Sequence, residues 1–159
     1  MTFHLMLIIA KVWFCSRICL VNFLILCYTP GMIKRGHLVS HDLCLESHEK
    51  MTIDFFLNLG KDIELNLPSL TPGTSNPDFW MDGLVWEMKC PFVDRNERIA
   101  FLFRHATRQS VNVIFDLRNL KVADKKVILH LQKLFKISRR VRRLMIICKD
   151  NELKIFKKS

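Results

Sequence analysis

Glycine is scarce in this chain. Its five glycines gather into no Gly-rich phosphate loop, so nucleotide hydrolysis on a P-loop has no support. There is no G-x-S-x-G elbow and no H-E-x-x-H pair, which removes the usual signatures of serine hydrolysis and zinc proteolysis. The six cysteines are Cys15, Cys19, Cys27, Cys44, Cys90 and Cys148, and none makes a C-x-x-C pair. They read as reduced thiols of an intracellular protein. No internal repeat is visible. Acidic residues run short in the second half: residues 1–94 hold 7 basic and 10 acidic side chains, residues 95–159 hold 18 and 5. The formal charge is +10, and such asymmetry points to a polyanionic partner, either nucleic acid or an anionic membrane surface.

What is present is apolar enough to fold. Hydrophobic residues make up 50% of 159, enough for the core of one domain plus an appendage. The appendage is residues 1–45. Leu5 to Tyr28 is very apolar, but Lys11 and Arg17 interrupt it and Asn22 dilutes it. The clean part, Ile18 to Tyr28, is shorter than the ~20 residues a membrane span needs. Cys27-Tyr28-Thr29 is a poor signal-peptidase site. Three readings stay open: a membrane anchor, a buried helix, or sequence foreign to the domain through a misplaced start or truncated parent gene. Secretion or membrane attachment thus stays open. Thr29-Pro30-Gly31 reads as a turn and residues 32–45 as a linker, leaving 46–159 as the domain. His37, His41, Cys44 and His48 are zinc-competent side chains, but their spacing fits no zinc module and a linker with stray histidines explains them.

The domain is organised around NPDFWMDGLVWEMKCP, residues 76–91. Asp82-Gly83 predicts a two-residue type I′ hairpin turn, which needs positive φ at both central positions. The register follows: Met81 faces Leu84, Trp80 faces Val85, Phe79 faces Trp86, and Asp78 faces Glu87. One face then carries Phe79, Met81, Leu84, Trp86 and Met88. The other carries Asp78, Trp80, Val85, Glu87 and Lys89. Asp78 and Glu87 would lie with Cβ atoms about 4.5–5.5 Å apart and repel. A hard divalent cation would answer that repulsion, with Lys89 placed to position or activate an attacking water. The plainer reading is a surface hairpin whose Lys89 neutralises the two acids.

Around the hairpin the pattern alternates. Ser47 to Leu59 predicts a helix capped by Ser47, with Thr52, Phe55, Phe56 and Leu59 as its buried stripe and Gly60 as its stop. Glu49 lies in its first turn, where an acid favours the helix dipole. Asp62 to Leu65 predicts a strand. NLPSLTPGTSN is a loop, either a flap over the cleft or a passive connection. Asp94, with Glu97 three residues on, predicts a capping box for a helix whose stripe is Ile99, Leu102, Phe103 and Ala106. Arg104, Arg108 and Gln109 lie elsewhere on that helix, as phosphate contacts or as a solvated face. His105 reads as incidental. Residues 111–118 predict a buried strand, Ala123 to Phe135 a helix, LMIIC a buried strand and Glu152 to Phe156 an edge strand. Arg139, Arg140, Arg142 and Arg143 fall in the densest basic run, read as a phosphate-tracking patch beside the alternatives of nuclear targeting or a solvated face. Trp80 either stacks on a base or packs against a helix.

Pro77-Asp78 followed by Glu87-Met88-Lys89 resembles the PD-(D/E)xK nuclease signature. Over about residues 46–157 the chain resembles the tRNase toxin domain at the C-terminus of CdiA-type contact-dependent inhibition proteins. The resemblance implies an α/β domain, a central mixed sheet flanked by helices with a restriction-endonuclease-like core. It implies a Mg²⁺- or Mn²⁺-dependent hydrolase acting in the cytoplasm on RNA, tRNA above all, with a cognate immunity protein as partner. It implies Asp78, Glu87 and the Met88 carbonyl as metal ligands, Lys89 as the group acting on water, Glu49 pointing toward the metal, and Gln109 near the cleft. The rival readings are a DNA endonuclease of the same superfamily, a non-catalytic nucleic-acid-binding module, and a small membrane-associated basic protein that inserts residues 5–28.

Overall fold

The computed structural model of the protein describes residues 34–69 and 76–158. The apolar segment 5–28 and the Thr71-Pro72-Gly73 centre of the expected flap lie outside the described residues.

Three helices and seven strands follow one another as β1 (Leu38–Val39), α1 (Ser47–Asn58), β2 (Ile63–Leu65), β3 (Phe79–Met81), β4 (Leu84–Lys89), α2 (Asn96–Gln109), β5 (Asn112–Asp116), α3 (Lys125–Ile137), β6 (Arg143–Ile147) and β7 (Leu153–Lys157). Among the described residues the strands form one sheet in the order β1-β2-β3-β4-β5-β6-β7. β1–β2, β4–β5 and β5–β6 pair parallel; β2–β3, β3–β4 and β6–β7 pair antiparallel. This is the mixed α/β sheet expected. Strands β5 and β6 are buried on both faces, which explains their unbroken apolar sequences. Ile114, Met145 and Ile147 pack with Ile53, Phe56 and Leu57 of α1 on one side. Val113, Phe115, Leu144 and Ile146 pack with α2 and α3 on the other. Helices therefore cover both faces. No helix among the described residues is long and apolar enough to cross a membrane.

Several local expectations are corrected. The linker is not all linker. Leu38 and Val39 pair with Ile63 and Glu64, and Arg35 pairs with Asp54 at 2.6 Å. Gly36 lies so close to the chain that a Cβ there would meet the Lys61 carbonyl oxygen at 1.9 Å, so only glycine fits. The folded unit thus includes residues from Arg35 onward. Helix α1 is capped by Glu46, not Ser47: Glu46 donates its backbone N–H to the Glu49 carboxylate at 3.0 Å in a reciprocal capping box. Its buried residues are Thr52, Ile53, Phe56 and Leu57, while Leu59 is exposed. The stripe is rotated by one position because Phe55-Phe56-Leu57 offers three consecutive apolar side chains and packing selects among them. Asp94 does not cap α2; Arg95 holds the N-cap position without a side-chain hydrogen bond. The α2 stripe holds, with Ile99, Phe103 and Ala106 buried and Leu102 packed against them.

Candidate active site

The β3–β4 hairpin forms as its turn chemistry dictates. Asp82 and Gly83 have φ of 53° and 70°, the paired positive values of a type I′ turn. Phe79 pairs with Trp86, Trp80 with Val85 and Met81 with Leu84. Phe79, Met81, Trp86 and Met88 are buried in the α1-side core. The Asp78 backbone N–H donates to the Trp86 carbonyl at 2.9 Å, which carries the pairing one step further and sets Asp78 across from Glu87. The Asp78 carboxylate Oδ2 accepts the Met88 backbone N–H at 2.6 Å.

Glu87 is 0% exposed, so the surface-hairpin reading does not fit. Lys89 Nζ donates to Glu87 Oε1, and the lysine side chain is only 19% exposed. Glu87 Oε2 is buried and has no hydrogen-bond partner. Burial, and then the negative charge of Asp78, push the Glu87 carboxyl up to about 7. Burial also raises Asp78, and the Glu49 charge adds to it, against the lowering effects of the Met88 N–H and Lys89. The site therefore packs negative charge that the protein alone does not fully neutralise.

A cavity of about 310 Å³ opens over Asp78 and Lys89, with Glu87 buried beneath them and not in its lining. Glu49 of α1, Asp78, Met88 and Lys89 line it, and Arg98 and Leu102 of α2 close its other side. The N–H and C=O of one residue in an extended strand point the same way, so the Met88 carbonyl faces the Asp78 edge as its N–H does. The donors this site offers a metal are thus all oxygens. Glu49 reaches the cavity wall while its Oε2 stays engaged as the helix cap.

The nucleic-acid candidates are more scattered. Gln109 Nε2 donates to the Asn76 carbonyl at 3.4 Å, two residues before Asp78, and its Oε1 is buried without a partner. Arg104 and Arg108 are exposed on α2 and do not line the cavity. Arg139, Arg140 and Arg142 are exposed between α3 and β6, and Arg143 donates to Asn112 Oδ1 at 3.2 Å. Arg143 pairs with Asn112 at one end of β5, whereas Lys89 pairs with Phe115 near the other. Glu87 pairs with Val113, one step from Asn112, so the register does not separate the basic run from the carboxylates; none of the run's arginines lines the cavity. Trp80 is 45% exposed and lies in a depression with Val39, Lys61 and Glu64, not in the cavity. His37, His41, Cys44 and His48 do not converge on a metal-binding geometry among the described residues; His41 lies 3.4 Å from Glu64 and His48 3.4 Å from Glu46. Cys44, Cys90 and Cys148 are free thiols.

Two features carried no strong sequence signal. Buried Asp116 accepts from Thr52 Oγ1 at 2.7 Å and from Arg118 Nη2 at 2.5 Å, and Arg118 Nη2 also donates to the Met51 carbonyl at 2.8 Å. This network ties α1 to the end of β5 behind the cavity. Arg98 enters the cavity wall one turn before Leu102, a spacing visible in the sequence only once the face of α2 that meets the cavity is known.

Comparison with known proteins agrees with this fold. Among solved structures, a chain of the CdiA-CT/CdiI toxin and immunity complex from Burkholderia pseudomallei superposes with a TM-score of 0.58 at 17% identity, covering 77% of this chain and 100% of that one. No curated protein matches the chain. Residues 75–153, which contain Asp78, Glu87 and Lys89, match the family of the contact-dependent growth inhibition CdiA C-terminal domain.

Proposed function

We propose that the protein is a metal-dependent nuclease that hydrolyses RNA phosphodiesters, with tRNA as its substrate class, and that it acts as a toxin domain of the CdiA C-terminal kind. The observation that carries this reading is the pairing of two largely buried carboxylates, Asp78 and Glu87, with Lys89 as the cation that offsets their charge. A buried charge is costly unless it is paired or coordinates a metal. The all-oxygen set of Asp78, Glu87 and the Met88 carbonyl suits a hard cation, Mg²⁺ or Mn²⁺. Bound there, the ion would supply charge neutralisation at the scissile phosphate and a lowered pKa for the attacking water. Lys89 Nζ, half-buried and held by Glu87 Oε1, orients or deprotonates that water and offsets the negative charge that grows in the transition state. Glu49 adds a further negative wall to the same cavity.

The spacing of Pro77-Asp78 and Glu87-Met88-Lys89 supports a PD-(D/E)xK assignment, and the match over residues 75–153 supports the toxin reading. The exposed Arg104, Arg108, Arg139, Arg140 and Arg142 would add phosphate affinity without choosing a sequence. The site of action is then the cytoplasm, where tRNA is, and a cognate immunity protein is the expected partner.

Full-length protein incubated with total tRNA and with plasmid DNA, in Mg²⁺, Mn²⁺ or EDTA, tests the proposal. Cleavage of tRNA with either ion and none in EDTA is expected, with plasmid largely intact. Faster plasmid cleavage would move the protein to the DNA endonucleases. Binding without cleavage of either would leave only a basic nucleic-acid-binding module.

A further inference from the structure

The cavity continues outward into an apolar and cationic rim that no role above uses. Phe92, three residues after Lys89, lines the cavity and is 54% exposed. Its ring meets that of His48 edge-on, with centroids 5.5 Å apart at 80°. Val93 and Arg98 line both this cavity and an adjoining depression of about 570 Å³ bounded by Arg95, Glu97 and Phe101. Val93 is 42% and Phe101 48% exposed. The Arg98 guanidinium lies over the Phe101 ring, 5.3 Å from its centroid. Exposed aromatic side chains gathered beside cations mark a surface built to be covered.

Three properties say by what. The rim is continuous with the cavity lined by Asp78 and Lys89, so its occupant is joined to whatever phosphate enters there. Arg95 and Arg98 outnumber the one acid, Glu97, which suits an anionic chain. Phe92 meets His48 in a T-shaped contact and stays 54% exposed, which leaves ring surface open for stacking. Base–aromatic stacking is indifferent to base identity but needs an unstacked base. A base in a duplex is already stacked and paired, and removing it costs energy that an unpaired base does not pay.

Resting on the nuclease reading, we propose that Phe92, with the Arg98–Phe101 pair beside it, receives an unpaired nucleotide flanking the scissile phosphate, so that the substrate is single-stranded or loop RNA and not continuous duplex. The guanidinium of Arg98 serves both the flanking phosphate and the aromatic ring it covers.

Binding in EDTA separates this from catalysis. A fluorescently labelled single-stranded RNA of mixed sequence and the same strand annealed to its complement are titrated with full-length protein, and anisotropy is read. The parent protein should prefer the single strand. Phe92→Ala should weaken single-strand binding about tenfold or more and leave duplex binding within about twofold, the size expected from loss of one stacked base. Phe92→Trp should retain the preference, whereas Phe92→Leu, similar in hydrophobicity but without a π face, should lose it. Circular dichroism of each variant checks that the fold is kept, which an exposed position favours. No binding of the single strand by the parent, equal loss on both probes, or full binding by Phe92→Leu overturns the proposal. Absence of RNA cleavage in Mg²⁺ with the binding pattern intact would instead overturn the hydrolytic reading and leave the rim standing.

Discussion

The Asp78 carboxylate accepts the backbone N–H of Met88 at 2.6 Å, one residue beyond Glu87. That bond fixes the first acid against the strand that carries the second. With Trp86 O accepting the Asp78 N–H at 2.9 Å, the backbone itself holds the two carboxylates together. Their proximity is a product of hairpin register and not of side-chain choice on a free surface. Lys89 and Glu49 then set the local balance of charge, one offsetting and one adding to it.

This geometry makes stability depend on pH. Glu87 moves from 4.5 to about 7 on folding, through burial first and the Asp78 charge second. The folded protein therefore holds this proton more tightly than the unfolded chain. Stability contributed by the raised carboxyl is full below the unfolded value of 4.5 and is lost as pH rises through about 7. Glu87→Gln has no charge to bury, and its amide can donate to Asp78 while its oxygen accepts from Lys89. It should leave stability little changed near pH 4.5 and raise it by up to about 3 kcal/mol near pH 8, while abolishing hydrolysis. Urea denaturation at the two pH values measures this. Equal stability of variant and parent at the higher pH would mean that Lys89 already offsets the charge.

The hairpin was legible because its determinants are local. Asp82-Gly83 admits few turn types, and once the turn is placed every later pairing follows. The strands β5 and β6 were legible as buried because both faces are apolar. The cap and stripe of α1 were not, since Glu46 competes with Ser47 locally and Phe55, Phe56 and Leu57 are equally apolar. Strand β1 has two residues and no pattern of its own; it exists because Gly36 and His37 lie against Lys61, Asp62 and Ile63. The Asp116–Arg118–Thr52 network joins residues far apart in sequence, so no window shows it. The basic run was visible as composition, but that Arg139, Arg140 and Arg142 stay exposed while Arg143 is tied to Asn112 at the start of β6 is decided by the fold.

The buried network predicts a stability loss independent of chemistry. Asp116 is 0% exposed and Arg118 reaches it through Nε at 3.0 Å and Nη2 at 2.5 Å. Asp116→Ala takes the carboxylate from that guanidinium, and should cost about 3–5 kcal/mol. Arg118→Met leaves the opposite charge unpaired and should cost a similar amount. Chemical denaturation of each variant checks it. A loss below about 1 kcal/mol would put the pair among solvent-screened surface bridges.

The sharpest contrast lies between Lys89 and Asp78. Lys89 is assigned to water and transition-state charge, so Lys89→Met should lower single-turnover cleavage by about 100-fold or more, the usual contribution of a positioned acid–base group. Metal and RNA binding should persist, with one qualification that the electrostatics impose. Lys89 lowers both Asp78 and Glu87, so its removal raises both carboxyls and moves Mg²⁺ binding to higher pH. Asp78→Asn acts oppositely. Its amide oxygen can still accept the Met88 N–H, which preserves the hairpin, but one charged ligand is gone. Glu87 loses the neighbour that raises it and ionises at lower pH. Mg²⁺ affinity should fall, and activity should return in part at high Mg²⁺. Calorimetric titration of Mg²⁺ across pH, beside single-turnover cleavage of tRNA, separates the two variants. A lysine that merely neutralised the acids would give the reverse order, with Lys89→Met changing stability and sparing turnover. If both variants cut RNA as the parent does, the chemistry does not occur at this hairpin.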